Sequence, residues 1–187
     1  MRFFTKEVLE DWDEYDQSRE MLFKEACELN YSEYLKAKER LPKKFTRVFE
    51  ETGRFDDDPV PYISIITEYG NFTHGVKGGP PSVMKMIIVD YDNHELAWEI
   101  IISNIKEIIA KWKVKYPPVR ISCISHHELI IEDEKHISWE MLFSDGLDLK
   151  VVFKNISIRK LEKEEIENYR QPVKVNKREK SKAMESM

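Results

Sequence analysis

From Val119 onward, apolar residues alternate with polar ones along the chain, and this alternation restricts the fold more than any other feature. Side chains of a β-strand point alternately to opposite faces, so the pattern predicts strands that each turn one face toward a core. Antiparallel strands joined by short turns commonly have one buried and one solvent-exposed face, and so fit this pattern. The alternation predicts four strands, at residues 119–124, 127–131, 137–143 and 147–158.

The last two of these strands also predict a register. A two-residue Asp145-Gly146 turn would set their apolar residues on opposite faces, which wastes burial. A three-residue loop, 144–146, with Gly146 in the left-handed conformation, brings apolar residues opposite one another. It also sets Glu140 opposite Lys150, a favourable cross-strand pair. The predicted apolar pairs are Phe143 with Leu147, Met141 with Leu149, Trp139 with Val151 and Ile137 with Phe153.

The first third of the chain has helical periodicity, with apolar residues at intervals of three and four. Thr5 is the expected N-cap of a long first helix. Asn30 carries the pattern of a capping box and predicts the start of a second helix. A third helix is expected to begin at Leu41-Pro42, since proline is favoured at a first helical position, and to stop at Gly53.

Two further strands are expected at residues 62–69 and 83–89, which are rich in β-branched side chains. After them, Asp92 with Glu95 forms a capping box and predicts a long amphipathic helix. A short helix is expected at residues 162–169. The apolar stripe of the amphipathic helix consists of Ala97, Ile101, Ile105, Ile108 and Trp112.

The chain of 187 residues suffices for one core, so a single domain is predicted over residues 1–168. Its helical part spans 1–53, and a sheet plus helix spans 60–160. Residues 169–187 are charged and poor in apolar side chains, which predicts a disordered tail. The predicted fold class is α+β: an N-terminal helical layer plus a mostly antiparallel β-sheet with one long amphipathic helix.

Charge and cysteine content exclude several classes of protein. The net charge of −5 is spread over interspersed acids and bases, so no basic stripe is present for nucleic acid. No apolar run approaches the roughly 20 residues that cross a bilayer, and the first residues lack the apolar stretch of a secretory signal. Cys27 and Cys123 have no metal or disulfide spacing. The sequence therefore predicts a cytoplasmic protein with no membrane and no nucleic-acid partner.

The first candidate site is formed by His126, His127 and Glu128 with His136, since histidine and glutamate are zinc ligands. Adjacent side chains on a strand point to opposite faces, however. If residues 132–135 form the hairpin loop, His127 and His136 lie about four residues, or roughly 13 Å, apart along the strands. Ordinary histidines on a sheet are therefore the favoured interpretation.

The second candidate site is formed by Asp90, Asp92 and His94, whose carboxylates and imidazole suit a cation. Helix capping explains most of this cluster. The metalloprotease motif requires a second histidine at position 98, where the chain has Trp98. No cofactor is predicted.

Two loops have weaker signatures. Residues 75–79, with three glycines and Lys77, suggest a phosphate cradle, but the pattern of a P-loop is absent and a flexible connection is favoured. The run Asp56-Asp57-Asp58 lacks the glycine and distal glutamate of a calcium loop, and a solvated turn is favoured.

Three short segments carry a resemblance: MRFFTKE at 1–7, the stretch 34–42 and the hairpin 142–155. Together they resemble an uncharacterised family of Firmicute cytoplasmic proteins, defined only as a domain of unknown function. The chain has Phe55-Asp56 where a His-Asp pair is expected in such relatives. The resemblance implies no activity.

The leading functional hypothesis is a non-enzymatic protein-interaction or regulatory protein. It would neutralise or regulate another bacterial protein through an acidic surface, and its support is the absence of catalytic motifs together with abundant surface charge. The alternative is a metal-dependent hydrolase that uses Asp90, Asp92 and His94, or His126 and His127.

Overall fold

A computed structural model of the chain describes residues 2–9, 17–67, 81–112 and 122–170. Its helices are α1 (Lys6–Leu9), α2 (Gln17–Lys38), α3 (Lys43–Glu51) and α4 (Lys163–Arg170). Its strands are β1 (Tyr62–Thr67), β2 (Pro81–Val89), β3 (Ala97–Trp112), β4 (Ile124–Ile131), β5 (Ile137–Phe143) and β6 (Leu147–Lys160).

The six strands form one sheet in the order β1-β2-β3-β6-β5-β4, and every neighbouring pair is antiparallel. This confirms the predicted α+β class with an antiparallel sheet. One large apolar cluster joins residues of α2, α3 and the sheet, so helices and sheet share a core.

The predicted register of the β5–β6 hairpin is confirmed. Ile137 pairs with Phe153, and Glu140 pairs with Lys150. Gly146 is left-handed, with φ of 85°, and its N–H donates to the carbonyl of Phe143 at 2.9 Å. Because one face of each strand is buried, the register must bring apolar residues opposite one another, and this register requires the three-residue loop.

We expect Gly146→Ala to lower the free energy of unfolding by about 1–2 kcal/mol, because a side chain with a Cβ is disfavoured in the left-handed conformation. Urea unfolding measures the loss. Ser157→Ala, at an exposed position of β6, is the control and should change little. An unchanged stability of the Gly146 variant would contradict the strained turn.

The predicted long amphipathic helix beginning at Asp92 is wrong, because Ala97–Trp112 form strand β3. Its many isoleucines favour a strand. A left-handed Asn104, with φ of 53°, and a register shift between Ile105 and Glu107 interrupt the alternation. Intervals of three residues then arise within a strand and imitate a helix. The residues that pack on the core are Trp98, Ile100, Ile102, Ile105 and Ile108.

The helices differ from expectation mainly at Asn30. It does not start a second helix but lies inside α2, which is continuous from Gln17 to Lys38. Helix α1 begins directly after Thr5, as predicted, whereas residues 10–16 lie outside the described ranges. Helix α3 follows Pro42 and ends before Gly53, as predicted.

Helix α4 confirms the predicted short helix near the end of the domain. Ile166 and Tyr169 of α4 pack against Ile87 and Ala97, on the sheet face opposite the main core. The helix extends to Arg170, and residues 171–187 of the predicted tail lie outside the described ranges.

The outer edge of β4 is covered by other parts of the chain. The N–H of Asp57 donates to the carbonyl of Ile124 at 2.7 Å, and that of Val60 donates to Ser122 at 2.8 Å. Farther along the strand, the side-chain amide of Asn30 donates to the carbonyl of His127 at 3.0 Å. Because exposed edges invite pairing with other strands, this covering protects the sheet. It also brings α2 and the segment after α3 beside the histidines of β4.

Candidate functional site

The two adjacent histidines of β4 lie in different surroundings. A register shift between Ile124 and His126 leaves Ser125 as an extra residue, whose hydroxyl donates to the carbonyl of Leu142 at 2.9 Å. The ring of His126 lies 5.1 Å from the ring of Phe4, measured between centroids. Adjacent side chains of a strand alternate in direction, and the two rings accordingly have different neighbours.

His127 belongs to the main core. It is 5% exposed, and its ring lies 5.1 Å from Phe49 and 6.3 Å from Trp139 between centroids. Its Nε2 lies 3.4 Å from Oδ1 of the exposed Asp56. The ring of His127 therefore contacts the aromatic core on one side and an exposed acid on the other.

Both histidines line a cavity of about 230 Å³ between β4, α2 and the segment after α3. It combines two aromatic rings with acidic, basic, amide, hydroxyl and thiol side chains. Its other lining residues within the described ranges are Phe4, Phe23, Cys27, Asn30, Arg54, Asp56 and Ser125.

One wall of the cavity is a strained turn. Gly53, Arg54 and Phe55 are all left-handed, with φ of 62°, 67° and 63°. Left-handed backbone costs residues with a Cβ about 1–2 kcal/mol each, and such strain clusters at ligand clamps and active sites. Phe55 is fully buried and anchors the turn, while the guanidinium of Arg54 lies 4.6 Å above the ring of Tyr31.

Burial changes the ionisation of two lining groups. It lowers the pKa of His126, whose ring is therefore neutral at pH 7 with one donor and one acceptor nitrogen. Burial, reinforced by Asp56, raises the pKa of the Cys27 thiol. A raised pKa makes that thiol a poor nucleophile at neutral pH.

Glu128 is fully buried on β4 and serves a structural purpose. Its carboxylate accepts hydrogen bonds from three consecutive backbone amides, those of Arg2, Phe3 and Phe4, at 2.6, 2.7 and 2.9 Å. These bonds compensate the burial of the carboxylate and tie the N-terminal segment to the sheet. Phe4 is thereby held at the cavity.

We expect Glu128→Gln to lower the free energy of unfolding by about 2–3 kcal/mol, because charge-assisted bonds are lost and an amide group meets a backbone donor. Urea unfolding measures the loss, and hydrogen exchange should show faster exchange at the amides of Phe3 and Phe4. The matched control is Glu107→Gln, at an exposed position of β3. Unchanged protection of both amides would contradict the docking of this segment by Glu128.

The predicted metal ligands are not brought together. In residues 2–9, 17–67, 81–112 and 122–170, no group of three or more histidine, cysteine, aspartate or glutamate side chains has the geometry to hold a metal ion. Asp90, Asp92 and His94 lie in the turn before β3. There the carboxylate of Asp90 accepts the N–H of Asn93 at 2.6 Å, so the acids form a turn and not a helix cap.

His136 lies apart from the cavity, in the β4–β5 loop. The predicted loop 132–135 is one residue too short, since Ile131 pairs with Ile137. The reason is Asp133, whose carboxylate accepts the backbone N–H of His136 at 2.9 Å and contacts its Nδ1 at 2.8 Å. The side chain of His136 is therefore held in the β4–β5 loop by Asp133.

The three-acid run is only partly the solvated turn that the sequence predicts. Asp58 is 4% exposed, and its Oδ1 accepts the N–H of Tyr91 at 3.0 Å. Burial, with further repulsion from Asp90 and Asp56, raises the pKa of Asp58 from 3.8 to about 6. Ionised Asp58 therefore destabilises the fold at neutral pH.

A raised carboxyl pKa gives stability that is present below pH 3.8 and lost as the pH rises through 6. We expect Asp58→Asn to remove this loss. The stability of the variant relative to the wild type should increase between pH 4 and pH 7 by on the order of 2–3 kcal/mol. Chemical unfolding across that range measures it. A stability difference that does not change with pH would contradict the burial effect.

The outward face of α2 exposes apolar side chains. Met21 is 72% exposed and Leu22 and Leu29 are each 47% exposed. The acids Glu25 and Glu28, also exposed, lie between them on the same face, since residues three, four and seven apart are neighbours on a helix. The exposed large apolar residues of α2 are Met21, Leu22, Leu29, Tyr31 and Leu35.

Sequence reasoning missed Asn30, Arg54 and Cys27 as neighbours of the histidines. One signal was present: Asn30 is a polar residue four positions after Ala26 and four before Tyr34, on the buried stripe of α2. No pattern in the sequence identifies Arg54. Residues 75–79, the weak phosphate candidate, lie outside the described ranges.

Among the helices of the described ranges, none combines the length and apolar character needed to cross a membrane. Comparison of the chain with protein-family models found no match, and comparison with curated proteins found none either.

Proposed function

We propose that this protein is a non-enzymatic regulatory protein of the cytoplasm, which binds a partner protein through the outward face of α2. The observation that carries the proposal is the row of exposed apolar side chains on that helix. Contiguous exposed apolar surface, rimmed by polar groups, is typical of interaction sites. The free thiols of Cys27 and Cys123 support a reducing compartment.

The chemistry of this face defines the partner. Leu22 and Leu29 lie two turns apart, which suits an amphipathic helix with apolar residues at similar spacing. Glu25 and Glu28 add negative charge between them, so the partner should carry lysine or arginine beside its apolar residues. A second copy of this chain would bring the same acids opposite these, and like charges disfavour that pairing.

Photo-cross-linking tests this proposal. A photoreactive residue replaces the exposed Ser32 on the face of α2, and the control places it at the exposed Lys154 of β6. We expect Ser32 to capture one protein and Lys154 not to. Mass spectrometry then identifies the captured segment, which should be basic and apolar.

The captured segment allows a quantitative test. Leu29→Glu should weaken its binding at least tenfold in calorimetry, because a central apolar contact is worth more than about 1.4 kcal/mol. Tyr91→Ala, at an exposed aromatic residue away from α2, should not. Equal binding by the Leu29 variant, or cross-links only to a second copy of the chain, would contradict the proposal.

A further inference from the structure

Among its lining residues in the described ranges, the cavity between β4, α2 and the segment after α3 has one guanidinium and one carboxylate. They belong to Arg54 and Asp56. Each is held by a different neighbour: the guanidinium lies 4.6 Å above the ring of Tyr31, and Oδ1 of Asp56 lies 3.4 Å from Nε2 of His127. The two groups form no ion pair with each other, and no described residue accepts a hydrogen bond from Arg54. The donors of the guanidinium therefore remain for an acceptor from outside the chain.

Both charges act on the same part of the cavity. Burial raises the pKa of the Cys27 thiol, Asp56 raises it further, and Arg54 lowers it. A thiol that responds to both charges lies within electrostatic range of each. Burial lowers the pKa of His126, so its ring is neutral at pH 7 and adds no further charge. A ligand in this cavity therefore meets one positive and one negative group.

A ligand with a single charge does not suit this pair of side chains. A simple anion is attracted by Arg54 but repelled by Asp56, and a simple amine is attracted by Asp56 but repelled by Arg54. A zwitterion gains both attractions. Its carboxylate can accept two N–H groups of the guanidinium, and its ammonium group can donate to the carboxylate.

The inner wall of the cavity is apolar, whereas its mouth is charged. Phe4 is 7% exposed, and its ring lies 5.9 Å from the ring of Phe23 between centroids. The side chain of Asp56, by contrast, is 56% exposed and lies at the mouth. At about 30 Å³ for each water of the liquid, 230 Å³ corresponds to about eight waters, near the size of leucine or methionine. Pockets of this kind, apolar with a few placed polar groups, are typical of small-molecule sites.

We propose that this cavity binds a free α-amino acid with an apolar side chain, whose carboxylate is held by Arg54 and whose ammonium group is held by Asp56. The side chain of the amino acid packs on Phe4 and Phe23. The left-handed turn at 53–55 fixes the position of Arg54 before any ligand arrives, and such preorganisation lowers the cost of binding. The inference goes beyond the proposed function and does not depend on it, because the outward face of α2 is no part of the cavity lining.

Leucine and methionine are the probes, and calorimetry on the full chain measures their binding. Three matched controls each lack one contact: N-acetyl-leucine has no ammonium group, leucinamide has no carboxylate, and glutamine resembles methionine in shape but has a polar end. Each control should bind at least tenfold more weakly than the amino acid that it matches.

Two variants separate the charged contacts from a general loss of folding. Asp56→Asn should weaken leucine binding at least tenfold without weakening that of N-acetyl-leucine, which has no ammonium group to lose. Arg54→Gln should likewise weaken leucine but not leucinamide. The control variants are Asp57→Asn and Arg47→Gln, at exposed positions outside the lining, and both should bind leucine as the wild type does.

The two cysteines give a test that needs no variant. Cys27 lines the cavity, whereas Cys123 does not, and both thiols are free. Leucine at saturating concentration should slow alkylation of Cys27 at least fivefold and leave Cys123 unchanged, as measured by peptide mass spectrometry. Absence of binding by both probes at millimolar concentration, equal binding of leucine and its two derivatives, or equal protection of both cysteines would overturn the proposal.

Discussion

The pairing of β3 with β6 positions both halves of the sheet. The alternation of buried and exposed side chains is interrupted at neighbouring positions of the two strands. On β3, Asn104 is left-handed, and on β6, Lys154 and Asn155 are both exposed between the buried Phe153 and Ile156. Because the two strands change phase together, their ladder continues through the bend. Met84 of β2 and Trp139 of β5 consequently lie in one apolar cluster, together with Phe45 and Phe49 of α3. Irregularities of this kind bend a sheet.

The same irregularity explains which parts of the fold were predictable. In the β5–β6 hairpin, Ile137, Trp139, Met141 and Phe143 are buried at every second position of β5, and turn chemistry and burial indicate one register. In β3 the interruption at Asn104 places some apolar residues three positions apart, and the Asp92-Glu95 pair has the pattern of a helix start. These local patterns favour a helix. The segment nevertheless forms a strand, because it pairs with β2 on one side and with β6 on the other.

The candidate site was predictable only in part. The different neighbours of His126 and His127 follow from strand geometry, but the cavity that both side chains line does not. The proximity of Asn30 and Arg54 depends on how α2 and the turn at 53–55 cover the edge of β4, which no local pattern encodes. Asn30 matched a helix cap equally well, because asparagine accepts and donates in both settings.

Phe49 of α3 holds the two sides of the cavity in place. Its ring contacts His127 on β4 at 5.1 Å and Phe55 of the strained turn at 5.5 Å, measured between centroids. It also packs on Trp139 at 6.2 Å and Tyr34 at 5.3 Å, so α2, α3 and the sheet meet at one side chain. A left-handed turn of residues with a Cβ persists only where surrounding packing over-determines it. Burial of Phe49 and Phe55 supplies that packing, and the site is therefore built as a rigid extension of the core.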